Sequence, residues 1–90
     1  MAKFEIIETV EVDAFPHYRK KAHFYYKVLN ETHEISLAFV PDGEYRYAEI
    51  KYDSIVTANT FSKGSYEITE DEFNETFLRA IQLINEFKNK

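Results

Sequence analysis

The apolar residues of this chain repeat every second position in its first half and every three to four positions near its end, and this change of period bounds the fold. Successive strand residues point to opposite faces, so the first pattern marks half-buried strands. The second marks a helix with one apolar stripe. In the opening segment Phe4, Ile6, Val10 and Val12 share a parity, with Glu8 as the exception among them. From His17 to Val28, the residues Tyr18, Ala22, Phe24, Tyr26 and Val28 share one parity, while His17, Arg19, Lys21, His23, Tyr25 and Lys27 share the other. Lys20 alone breaks the apolar side.

The short "DAF" connection predicts that these two segments are long strands paired as an antiparallel hairpin. Ile6 then faces Ala22 and Glu8 faces Lys20, or a slip of register makes the two charges diagonal neighbours. Either register turns Glu8 and Lys20 into a structural ion pair, because opposite charges across strands attract. The polar "NETH" link supplies the next turn, followed by a strand in which Ile35, Leu37 and Phe39 alternate with Glu34, Ser36 and Ala38. Pro41 presets the turn that follows, and Gly43 can take the positive φ where a three-residue loop rejoins the strand. Tyr45 and Tyr47 open a further strand. Residues 48–62 fit a helix only loosely, and Thr57, Asn59 and Thr60 are poor helix formers with no cap before them. They fit a strand through Ala48, Ile50, Tyr52 and Val56 if a bulge shifts the parity after Tyr47, and an extended strand with an irregular tail is expected.

Thr69 and Glu72 form a capping box, with Ile68 and Phe73 at the positions of a hydrophobic staple. Acids crowd the first turn and Lys88 and Lys90 the end, which suits the helix dipole. Phe73, Phe77, Ala80, Ile81, Ile84 and Phe87 make the stripe, and Leu78 lies off it. The expected fold is α+β: one domain over residues 1–90, an antiparallel β-meander of four or five strands with the C-terminal α-helix packed on one face. Phe77, Ile81 and Ile84 should meet Phe24, Tyr26, Leu37 and Phe39.

A chain of 90 residues has room for one core, which must be dense. At 44% hydrophobic and 17% aromatic it is too apolar for a disordered segment. It holds no Cys, no apolar run long enough for a membrane span and no signal-peptide h-region, so a soluble, cytoplasmic domain without disulfides is expected. The net charge of −5 argues against non-specific duplex binding, where affinity comes from neutralising phosphates. Residues 16–27 are the exception, with Arg19, Lys20, Lys21 and Lys27 and no acid.

From Ile35 to Ser62–Lys63–Gly64 the chain resembles the KTSC domain, a short bacterial module also found fused to some lysyl-tRNA synthetases. The likeness is carried by the alternating Ile35, Leu37 and Phe39, then Gly43, then Tyr45 and Tyr47, then Ser62, Lys63 and Gly64. It covers about a third of the chain. The glycine falls one place later than in that family, and the usual Val-Pro after the tyrosines is absent. The resemblance implies a helix over residues 50–60, and RNA binding as the suggested role.

His17 and His23 lie about 20 Å apart on a continuous strand, too far to share a zinc ion, and His33 belongs to a turn, so no metal site is expected. No P-loop, dinucleotide fingerprint or nucleophile motif occurs, and nothing converges on Glu8 and Lys20, so neither a catalytic centre nor a cofactor is expected. One face remains as a candidate for binding: Arg19, Lys21, His23, Tyr25 and Lys27, where a tyrosine among cations could stack a base. The same alternation describes the solvated side of a strand, and tyrosine also suits protein interfaces. The sequence therefore predicts a non-catalytic protein-interaction or assembly module, its partner another protein or a second copy in a homodimer. The alternative is RNA or single-stranded nucleic-acid binding through residues 17–27.

Overall fold

The computed structural model describes the chain at residues 2–5, 9–57 and 60–89, with side chains from Glu11 onward. It is an α+β fold of seven strands and one helix. The strands are β1 (Ala2–Glu5), β2 (Thr9–Val12), β3 (His17–Lys21), β4 (Phe24–Val28), β5 (His33–Val40), β6 (Tyr47–Ile55) and β7 (Tyr66–Glu67), followed by α1 (Glu70–Lys88). Strands β3 to β6 form the expected antiparallel meander, and β7 adds to β3 as a fifth strand, giving the order β6-β5-β4-β3-β7. β1 and β2 pair only with each other among the described residues.

Each of the two long strands expected at the start is itself a hairpin. Phe4 pairs with Val10 inside the first, and among the described residues the opening segment does not pair with residues 17–28. The second folds back at Ala22 and His23, pairing Lys21 with Phe24 and His17 with Val28. Ala22 holds a left-handed φ of 52°, a region that L-residues other than glycine seldom visit. The stretch "KKAHFYYK" contains no Gly, Pro, Asn or Asp to announce this turn. A two-residue turn also reverses parity, because each odd-numbered residue now faces an even-numbered one. Tyr18, Lys20, Tyr25 and Lys27 therefore share one face, and His17, Arg19, Lys21, Phe24, Tyr26 and Val28 the other.

The remaining turns follow their chemistry. The Asn30 carboxamide oxygen accepts from the Thr32 and His33 amides at 2.9 Å, so the side chain itself closes the β4–β5 turn. Gly43 takes a φ of 97° after Pro41, as the β5–β6 loop requires. β6 is the extended strand expected from residue 48 onward, not the helix that the KTSC resemblance implies for 50–60. Its bulge lies later than expected: two steps along β5, from Glu34 to Ser36, match three along β6, from Ser54 to Lys51. At the helix start the Thr69 hydroxyl accepts from the Glu72 amide at 3.1 Å, and Ile68 and Phe73 share one buried cluster.

Both faces of the sheet are covered. On one, α1 buries Phe73, Thr76, Ala80 and Leu83 against Tyr18, Leu37 and Phe39, with Tyr25, Ile35, Ala48, Ile50 and Phe77 around them. The buried stripe is thus rotated toward Thr76 and Leu83 from the one the sequence predicts, and Ile81 and Ile84 are only half-buried. Phe24 and Tyr26 do not meet the helix, since the turn at Ala22 sends them to the far side. There Tyr26 and Val28 pack with Val12 of β2 and Phe61, flanked by Val56.

Phe73 is 2% exposed and contacts the Tyr18 and Phe77 rings. Phe73→Ala should cost about 3–5 kcal/mol in chemical denaturation, and Phe77→Ala distinctly less. Ala22→Gly should stabilise the fold by about 0.5–1 kcal/mol, because relief of about 1–2 kcal/mol of left-handed strain exceeds the added entropy cost of glycine. A lower denaturation midpoint in Ala22→Gly would contradict that assignment of strain.

Candidate interaction surface

The five residues expected to form one basic face are divided by the β3–β4 turn. Lys27 lies over the Tyr18 ring at 5.8 Å on the helix side, and Tyr25, on that same side, packs against the clusters beneath α1. Arg19 and Lys21 lie on the opposite face, and His23 sits in the turn itself. Lys20 is beside Tyr25, with its ammonium 5.0 Å from the ring centroid, and hydrogen bonding to Tyr25 raises its pKa. Its expected partner Glu8 lies outside the described residues.

The segment from Thr60 to Glu67 closes over the far face and engages the cations there. Arg19 is buried, stacked 5.2 Å over the Phe61 ring, and donates to the Ser65 hydroxyl at 3.1 and 3.2 Å and to the Ser65 carbonyl at 3.0 Å. Lys21 Nζ donates to the Ser62 hydroxyl at 2.6 Å. His17 stacks on Phe61, with Nδ1 3.5 Å from the Glu67 carboxylate and Nε2 3.4 Å from the Arg19 guanidinium. A guanidinium can only donate, so Nε2 accepts and the ring proton sits on Nδ1, facing Glu67. Burial lowers the His17 pKa, Glu67 raises it and Arg19 lowers it, with a net decrease that keeps the ring neutral at pH 7. Among the described residues no three His, Cys, Asp or Glu side chains come together as metal ligands. This is a satisfied structural cluster with its donors turned inward.

The surface that remains open is the edge formed by β6 and the C-terminal half of α1. β6 pairs with β5 on one side only, leaving a nine-residue strand as the sheet's long free edge among the described residues. Tyr45 is 81% exposed, Tyr52 63% and Ile55 67%, with Tyr47 and Phe87 also exposed nearby. Between the strand and the helix runs a groove of about 300 Å³ lined by Ile50, Tyr52, Ile81, Ile84, Asn85 and Lys88. The rotation of α1 toward Leu83 is what leaves Ile81 and Ile84 to line it. Tyr52 stands against Phe77 edge to face, at 6.1 Å between ring centroids. On the outer side Tyr47 donates to Glu49 at 2.7 Å, and Lys51 lies 3.6 Å from the same carboxylate. Tyr45, Tyr47 and Tyr52 are plain in the sequence, but their joint placement on an edge depends on pairings that it does not announce.

Glu34 is a buried acid that sequence reasoning placed merely on the polar side of β5. It is 2% exposed, and the fully buried Thr60 hydroxyl donates to it at 2.5 Å. Burial pushes its carboxyl from the usual 4.5 up to about 7, against the opposing effect of the Thr60 hydrogen bond. The folded state therefore holds this proton more tightly than the unfolded chain does. Its contribution to stability is complete below pH 4.5, falls as pH rises toward 7 and levels off above that. The loss should be about 3 kcal/mol. Glu34→Gln should remove this slope, read as the difference between parent and variant in denaturation curves taken across that range. Parallel pH profiles for the two proteins would show that Glu34 ionises normally.

Compared with protein-family models, curated proteins and solved structures, the chain matches none.

Proposed function

We propose that this domain is a non-catalytic interaction module that accepts an extended strand along β6. The supporting observation is the coincidence of a free strand edge, exposed tyrosines and an apolar groove on the adjoining helix. Strand addition draws its affinity from main-chain hydrogen bonds at a sheet edge, and pockets for alternate side chains give it selectivity. The groove of Ile50, Tyr52, Ile81 and Ile84 is such a pocket, on the side where alternate residues of an added strand would project. Tyrosine and phenylalanine are enriched where proteins meet, which fits Tyr45, Tyr47, Tyr52 and Phe87.

The nucleic-acid alternative has less support. Arg19 and Lys21 are engaged by Ser65 and Ser62 and lie on the opposite face from Tyr25, which rests against the core beneath α1.

Selection of short random peptides against dilute protein tests the reading. Enriched peptides should carry apolar residues at alternate positions and should perturb the amide resonances of β6, Ile81 and Ile84. Tyr52→Glu should weaken them at least tenfold while leaving the unfolding midpoint close to the parent's. Peptides that bind Tyr52→Glu as well as the parent, or that perturb β3 and not β6, would sink the reading. Micromolar, salt-sensitive RNA binding that disappears when Arg19, Lys21 and Lys27 become Glu would put the alternative first.

A further inference from the structure

We infer that the strand added to β6 is β6 of a second copy, antiparallel, across a two-fold axis through Ile50. The inference rests on the reading of β6 as the working edge and names its occupant. β6 is much longer than β1, β2 and β7, which span four residues or fewer, so it offers the longest ladder among the described residues.

The charges on its outer row select the register. Glu49 and Lys51, opposite in sign, share this row, and the bulge beyond Lys51 takes Asp53 out of it. A two-fold perpendicular to the sheet pairs a central residue with its own copy and keeps both helices on one face. Centred on Lys51, the pairing sets Lys51 against its own copy, which repels it. Centred on Glu49, it opposes the two Glu49 carboxylates. Centred on Ile50, it sets Glu49 opposite Lys51 of the second copy, twice by symmetry, and opposite charges across strands attract.

The helix-side row agrees. Ile50 meets Ile50, and Ala48, the smallest side chain of the strand, faces Tyr52 of the second copy. That ring then covers Ala48, while its counterpart does the same in return. The competing pairing centred on Tyr52 separates Glu49 from Lys51 and has its centre in the bulge itself. The bulge beyond Lys51 bends the strand there, so the regular stretch from Tyr47 to Lys51 carries the centre of the Ile50 pairing and not that of the Tyr52 pairing.

Sedimentation over a wide concentration range tests the inference. The parent should dimerise. Lys51→Glu, which opposes like charges in both outer pairs, should weaken the dimer about tenfold, and Glu49→Lys should do the same. Mixing these two single variants should restore association to within about threefold of the parent, because each then faces the opposite charge. The double variant Glu49→Lys with Lys51→Glu should also recover, because the pair about Ile50 is restored with its signs exchanged. Both positions are exposed, and recovery in the mixture shows that neither single variant is misfolded. A parent that stays monomeric, a Lys51→Glu protein that dimerises as tightly as the parent, or a double variant that fails to recover would overturn the inference. A monomeric parent that still selects peptides at β6 would leave the interaction reading standing without the second copy as its occupant.

Discussion

The left-handed residue at Ala22 decides which side chains meet in this domain. It turns one alternating stretch into two paired strands and reverses the parity between them, so a pattern that reads as one apolar and one basic face becomes two mixed faces. Apolar groups then reach both sides: Tyr18 and Tyr25 toward α1, Tyr26 and Val28 toward β2 and Phe61. The cations are carried with them and come to rest over rings, Lys20 on Tyr25, Lys27 on Tyr18 and Arg19 on Phe61. Such contacts contribute about 0.5–1 kcal/mol each at exposed sites and more where water is excluded. The basic stretch is thereby explained as internal structure before any ligand is invoked.

Burying Arg19 imposes a second constraint, because an unpaired buried cation is far costlier than the contact it makes is favourable. Its donors are met by Ser65 and by His17, which tie the chain after Phe61 down onto β3. Once Ser65 is fixed, β7 follows directly, pairing Tyr66 and Glu67 with Lys20 and Arg19, and the Ile68 amide continues to the Tyr18 carbonyl. This short strand covers part of the β3 edge and delivers the chain to Thr69, where the helix is capped. Electrostatic satisfaction of one arginine thus places the helix start over Tyr18, and the staple of Ile68 and Phe73 completes the corner.

Helix α1 was legible in the sequence because its signals are local: a hydroxyl, an acid three residues on, and a stripe. The β5–β6 hairpin was legible for the same reason, since Pro41 and Gly43 mark its loop. The β3–β4 hairpin was not, because alternation continues unbroken through Ala22 and His23 and no residue there favours a turn. One missed turn was enough to misplace the candidate site, since face assignment depends wholly on parity. The burial of Leu83 and the half-exposure of Ile81 and Ile84 were equally hidden. The helix stripe is wider than the sheet can cover, and which part is buried depends on how α1 crosses β4, β5 and β6. Glu34 could not be recognised as buried either, for its cover comes from Thr60, distant in sequence.

The edges show how these constraints meet. β3 would be a free edge of the sheet without β7, and Arg19 indirectly covers it. β6 has no such cover among the described residues. Alternating charges and a bulge are the usual means of limiting edge pairing, because they make most registers repulsive or bent. A strand protected only by like charges would refuse every copy of itself. A row of opposite charges refuses some registers and favours others, so in the proposed pairing Glu49 and Lys51 discriminate among registers and do not simply block the edge. The aromatic groups beside them have no such discrimination of their own, since a tyrosine covers almost any apolar neighbour. The proposed association of this edge therefore draws register from Glu49 and Lys51 on one face and contact area from the Tyr52 ring on the other.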